Sequence, residues 1–269
     1  MRKLKLWAVA LSFAALWSCE QQEANEPQPQ EVSPEIIAKL NQAGFNTVDF
    51  DVQKLDGGEY IVEKDIVFTH EQIMNLTPGN GIPTVEHYNT DNLVTATPRT
   101  INVYVNMPQK YQDATDIALA RYNSENLQLN FQRVTSSSSA DITIKASPWY
   151  YYWFGILGSA GFPTASGDPH NEILMTRAYY DGVSNINGLA TTIAHEMGHC
   201  IGFRHTDYMD RSYSCGGTPD DEGDGGVGAN HIAGTPTGPD ANSWMLACGS
   251  PEGDRPFTNN DKTALSTLY

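Results

Sequence analysis

The chain is short of positive charge: 16 of its 269 residues are Lys or Arg against 32 Asp or Glu, a formal charge of −16 at pH 7. So acidic a surface repels a phosphate backbone, and nucleic acid is not an expected partner. Long apolar runs are also missing. The N-terminal one, Leu6 to Trp17, is too short to cross a bilayer as a permanent helix. Cysteine is scarce, and none occurs between Cys19 and Cys200, so no thiolate from that stretch can block a metal. No internal repeat is visible, which sets aside solenoids and propellers.

What is present centres on Ile193 to Asp207, I-A-H-E-M-G-H-C-I-G-F-R-H-T-D. His195 and His199 are four apart and share one helix face, the separation two imidazoles need to hold one tetrahedral metal. Glu196 lies about 100° round the helix from His195, where its carboxylate reaches a metal-bound water without being a ligand. Gly202 suits a helix end, because a residue entering the left-handed region is usually glycine, and the turn brings His205 back to the same metal. Ile193, Ala194, Met197 and Ile201 also form the apolar stripe of a core helix. Both readings fit one helix, but the core reading alone leaves the convergence of three histidines and a glutamate without a cause.

The N-terminus resembles a bacterial lipoprotein signal: Arg2, Lys3 and Lys5, an apolar run, then Leu16-Trp17-Ser18-Cys19. Residues 1–18 would be removed and Cys19 lipidated; ordinary secretion that discards Cys19 is the alternative. Arg2, Lys3 and Lys5 are three of the 16 basic residues, so the mature chain carries 13 against 32 acids and a charge near −19. Residues 19–34 read as a solvated tether. Residues 35–76 read as a small module with helices at Glu35–Gly44 and His70–Leu76, strands at Thr47–Phe50 and Glu59–Phe68, and a turn at Gly57-Gly58. Residues 77–98 are polar, with three prolines and two glycines, and read as a linker.

The remainder, 99–269, has ordinary single-domain size. Strands are expected at Thr100–Val105, Leu129–Val134, Ala140–Ala146 and Ile173–Tyr179, with helices at Tyr111–Leu127 and Gly188–Gly202, an α+β order. Six consecutive aromatics, Trp149 to Phe154, are expected chiefly to bury their rings. Gly158–Ala165, small residues and a proline, suits an exposed edge strand along which an extended peptide aligns.

Together, His195, Glu196, His199, Gly202 and His205 match the long zincin pattern H-E-x-x-H-x-x-G-x-x-H. From Thr100 to Tyr269 the chain resembles the metzincin zinc metallopeptidases, most of all the bacterial M57 family. The resemblance implies an α+β zincin domain: a mixed twisted sheet packed on the active-site helix, and a small C-terminal subdomain under a methionine turn. It places that turn at Asn242–Leu246 with Met245 as a soft floor, and a closing helix within Phe257–Tyr269. Ala247 stands where some metzincins have a tyrosine ligand, so His195, His199 and His205 are the expected protein ligands of one Zn2+. The implied activity is hydrolysis of protein or peptide substrates by a monomer, with Glu196 as general base and no covalent intermediate.

Other readings stay open at this stage. With Cys19 lipidated, Cys200, Cys215 and Cys248 are an odd set in an oxidising compartment; Cys215–Cys248 is favoured, and pairing of Cys200 with either remains open. The acidic, glycine-rich loop Thr218–Gly228 admits Ca2+ but meets no known loop spacing. Asp207 either orients a ligand imidazole or is a solvated turn residue. A gluzincin would use Glu222 as third ligand, against the Gly202–His205 spacing. An inactive zincin-fold surface-binding lipoprotein is the alternative from another class, and the intact Glu196 speaks against it. The 35–76 module is either a permanent accessory domain or an inhibitory propeptide acting through a carboxylate such as Asp49, Asp51 or Asp56. In the second case a cut in the linker would free the enzyme from an outer-membrane or cell-surface anchor.

Overall fold

The computed structural model describes residues 30–48, 50–76, 87–219, 221, 227–236 and 238–269. The signal segment, Cys19, most of the tether, Asp49, residues 77–86 and Glu222 therefore lie outside the described residues, as does most of the acidic loop. No helix among the described residues is long and apolar enough to cross a membrane.

The module opens with helix α1, Pro34–Ala43, which starts where Ser33 accepts the Ile36 N–H and ends where Gly44 turns left-handed at φ 105°. Its apolar face, Ile36, Leu40 and Ala43, is buried. Strands β1 (Gln53–Lys54), β2 (Tyr60–Val62) and β3 (Ile66–Phe68) follow, then helix α2 (His70–Asn75) under a Thr69–Gln72 capping box. Two expectations change here. The first strand lies at Gln53–Lys54 instead of 47–50, and Glu59–Phe68 is a hairpin of two strands. Its three-residue connection, Glu63-Lys64-Asp65, puts Glu63 and Lys64 at φ 54° and 76°. Side chains disfavour that region, so the hairpin has no glycine or asparagine to announce it.

Beyond the module come β4 (Tyr88–Asn89), β5 (Arg99–Asn106), helix α3 (Gln109–Asn123), β6 (Leu129–Val134), β7 (Ile142–Ala146), β8 (Gly158–Ala160) and β9 (Glu172–Met175). They are followed by α4 (Arg177–Tyr180), α5 (Ile186–Cys200), α6 (Ser212–Cys215), β10 (Asn230–His231) and α7 (Asn259–Leu268). Residues 176–179 leave the expected strand: Arg177 and Asp181 pair across one helical turn at 2.7 Å, and Tyr111 donates to Asp181. Residues 87–98 are not a free linker end. Tyr88 is fully buried, β4 pairs with β10, and His87 meets the α7 carboxylate Asp261 at 2.6 Å.

Eight strands form one mixed sheet in the order β1-β2-β3-β8-β9-β7-β5-β6. The pairs β6/β5, β5/β7 and β7/β9 are parallel, β8 is antiparallel to β9, and β3 runs parallel to β8. Strand β8 is therefore not a free edge; the chain's own β3 lies on it. Helices α3 and α5 pack together on the sheet, sharing a core that includes Ile101, Ile144, Tyr122, Ile193, Met197, Trp244 and Leu265. The aromatic run divides. Tyr151 is buried with Ile156 and Leu174, whereas Trp149, Tyr152 and Trp153 are exposed, because a short 3-10 turn at Trp149–Tyr152 faces them outward.

Candidate metal centre

Helix α5 begins where Asn185 accepts the Asn187 N–H, and every residue from Gly188 to Cys200 is buried. It ends two residues before Gly202 and starts two before the expected Gly188. His195 and His199 turn their Nε2 atoms to within 3.1 Å of each other. His195 Nδ1 meets the Trp244 carbonyl at 2.8 Å and His199 Nδ1 the Phe203 carbonyl at 2.9 Å. A carbonyl only accepts, so both Nδ1 atoms carry protons and both Nε2 atoms face each other as lone pairs.

Gly202 has φ 105°, and a Cβ there would stand 3.0 Å from the Asn92 carbonyl, so the turn requires glycine. That turn returns His205 to the cluster, stacked on His195 at 5.3 Å between ring centroids. The fourth member was not among the carboxylates named from the sequence. Asp65, in the β2–β3 connection, places Oδ2 2.9 Å from His205 Nε2 and 3.9 Å from His195 Nε2. One ligand atom from each of Asp65, His195, His199 and His205 lies within 4.8 Å of the others. Asp51 and Asp56 are exposed on the module's surface.

These donors fit a zinc ion. Two atoms each about 2.0–2.1 Å from a tetrahedral ion stand about 3.3–3.4 Å apart, close to the His195–His199 separation. Without a cation the two lone pairs would oppose each other, and Asp65 Oδ1 is buried with no hydrogen-bond partner among the described residues. Burial pushes the Asp65 carboxyl up, but contact with the His205 imidazole, with Arg211 nearby, pulls it below its ordinary range overall. Burial lowers His195 to about 4 and His199 well below its usual value, which favours neutral imidazoles at pH 7.

Glu196 is 2% exposed, and its Oε2 has no hydrogen-bond partner among the described residues. Burial first, then the Asp65 charge, raises its pKa well above the ordinary carboxylate range. It lies against β8 closely enough that a Cβ on Gly158 would be 2.8 Å from its Oε1.

Met245 is fully buried with its Sδ against Gly198 of α5, and Trp244 supplies the carbonyl that orients His195. Gly198 makes that approach possible, since a Cβ there would be 2.5 Å from Met245 Sδ. Gly198→Ala gains helix propensity but overpacks this contact. It is expected to destabilise by about 1–3 kcal/mol and to weaken zinc retention, read by thermal melting and metal content.

Cys215 and Cys248 are disulfide-bonded with Cα atoms 5.1 Å apart, and Cys200 is free and buried. Asp207 is not a solvated turn residue. It is fully buried, accepting from the Ala247 N–H at 2.9 Å and the Ser214 hydroxyl at 2.5 Å. It thus ties the two sides of the disulfide together. Arg211, also buried, donates to the Glu63 carbonyl at 3.0 Å and the Glu63 carboxylate at 3.4 Å, and lies 3.2 Å from His205 Nδ1. It links the hairpin turn that carries Asp65 to the third histidine.

Among known proteins, the family model described as Dual-action HEIGH metallo-peptidase, Peptidase_M57, matches residues 60–269. The chain reads H-E-M-G-H at that motif, with Met197 in place of isoleucine. Two solved structures of myroilysin align at 13% identity. One alignment covers 66% of this chain and 82% of the other with TM-score 0.40; the second covers 77% and 98% with TM-score 0.41. No curated protein sequence matches.

Proposed function

The chain belongs to the M57 metallopeptidase family, and from that premise we propose that it is a metzincin-type zinc endopeptidase whose N-terminal module holds it latent. The observation that carries this reading is the placing of His195, His199 and His205 around one point beside a buried, unpaired Glu196, with Asp65 from the module as a fourth donor. Zinc held there by His195, His199 and His205 would supply Lewis acidity, activating water near neutral pH and polarising the scissile carbonyl. Glu196, beside His195 on α5, would take the proton from that water and pass it to the leaving amine. Trp244 and Phe203 hold the first two imidazoles in the tautomer that leaves Nε2 free.

Latency is supported by three contacts of the module. Asp65 stands where a substrate carbonyl or water would enter. Its own carbonyl accepts the Ala160 N–H at 2.9 Å, and Ile66 pairs with Ala160, so the connection Glu63–Asp65 and β3 form a strap over the β8 edge that an extended substrate would use. Because β3 runs parallel to β8, its peptide bonds pass the site in the opposite sense to an antiparallel substrate. Zinc content and hydrolysis together test the peptidase reading. His199→Ala is expected to bind far less than one zinc per chain and to cut no peptide; normal turnover without zinc would sink it.

Export with lipidation at Cys19, anchorage at a bacterial outer membrane or cell surface, and a monomeric state complete the proposal. They are supported by the residue pattern of 1–19 and by the acidic composition. Calcium at Thr218–Gly228 gains no support from the few residues of that loop that are described.

A further inference from the structure

The cleft at Asp65, His195 and Glu196 encloses a cavity of about 120 Å3 that continues past Gly158 to Leu157 and Gly155. Thr191 and Thr192 of α5 form one wall, the segment after the methionine turn forms another, and Arg255 lines it with them. Arg255 is half-buried, and its Nη1 donates to the Cys248 carbonyl at 3.0 Å. Its backbone N–H is held by Thr191 at 2.9 Å, which fixes its place in the wall.

The guanidinium is conspicuous for what it lacks. Arg99, Arg121, Arg133, Arg177 and Arg211 each meet a carboxylate. Arg255 has none within ion-pair distance among the described residues, although the chain has twice as many acids as bases. Asp207, whose charge reaches it, already spends both oxygens on Ala247 and Ser214. Burial lowers the Arg255 pKa, the mark of a cation partly stripped of water, and its charge is felt at His195. A desolvated cation without an anion is costly, and a ligand carboxylate would offset that cost. Lys64 also reaches the pocket, but it belongs to the strap and leaves with it.

The sheet supplies the direction. Glu196 lies against Gly158, so the reacting bond lies there. A substrate added antiparallel to β8 enters beside Ala160 and leaves past Gly158 towards Leu157 and Gly155, which line the pocket. The part of the pocket beyond Gly158 therefore takes the residue after the bond cut. We propose that Arg255 selects substrates with Asp or Glu immediately C-terminal to the scissile bond. The proposal rests on the peptidase reading above.

Digestion of a peptide library by the zinc-loaded full chain, wild type and Asp65→Ala, followed by mass spectrometry of the products, tests it. Acidic residues should dominate the first position after the cuts. Paired peptides differing only by Glu or Gln there should differ at least about tenfold in kcat/KM. Arg255→Gln should bring that ratio close to one, mainly through KM, while Arg255→Lys keeps part of it with charge but no fork. Zinc content and melting temperature of both variants control for folding. Cuts without acidic enrichment, or enrichment that survives in Arg255→Gln, overturn the Arg255 assignment and leave the peptidase standing. A zinc-loaded chain that cuts nothing in either form overturns the peptidase reading and this assignment with it.

Discussion

Glu196→Ala is expected to retain about one zinc per chain, to melt no lower than wild type, and to lose hydrolysis by about 10^3-fold under identical activation of both proteins. The loss follows from the role: positioned proton transfer contributes about 10^2–10^4-fold, and among the described residues Asp65 is the one other carboxylate at the ligand atoms. Zinc should remain because three imidazoles and Asp65 hold it without Glu196. The melting temperature follows from burial. A carboxyl whose Oε2 is buried without a partner costs about 1–3 kcal/mol, and its removal offsets the packing lost with the side chain. If Glu196 were merely the polar edge of a core helix, replacing it would change stability and leave turnover alone. Metal analysis, calorimetry and one peptide assay on the same preparation separate the two. Near-normal turnover in the variant would refute the mechanism.

The clustered histidines were legible because their geometry is local: spacing on one helix sets two of them, and a glycine turn three residues later brings in the third. The elements that close the site were less legible, for reasons in particular residues. Asp65 lies far from His195 in the chain, on a connection whose left-handed residues are Glu63 and Lys64. Turn chemistry normally signalled by glycine or asparagine was absent, so the segment read as one long strand and Asp49, Asp51 or Asp56 seemed better placed. The available signal was V-E-K-D-I, three charged residues between apolar runs. Strand β8 was recognised as small and open to another strand, but alternation cannot tell which strand will lie on it. Gly198 and Arg211 gave no sequence warning, since their roles exist only once Met245 and Glu63 are brought against them.

Asp65→Ala is expected to raise hydrolysis by the uncut chain about 10- to 100-fold, making it the one substitution at the ligand cluster that adds activity. In the intact chain the strap is tethered, so it competes with substrate at a high effective concentration. Turnover then reports the fraction of time the strap is off. Losing a charged contact to the ligand cluster removes about 1.5–3 kcal/mol of that bias, a factor of roughly 10–100 in opening. The Glu63–Arg211 pair and the apolar seam of Leu55, Ile61 and Val67 against Tyr151, Ile156 and Leu174 should persist, so the module stays docked but yields more readily. Cleavage should do more than the substitution. Because β4 pairs with β10 and His87 pairs with Asp261, a releasing cut has to fall between Leu76 and His87; one further on would strip a strand from the catalytic domain. N-terminal sequencing of the active species from cells, set beside turnover of uncut wild type and uncut Asp65→Ala, decides the matter. A soluble form beginning between 77 and 87, with a slow uncut wild type and a faster uncut variant, is the expected result. Full activity in an uncut wild-type chain, unchanged by Asp65→Ala, would make the module a permanent domain and its carboxylate an ordinary neighbour of the histidines.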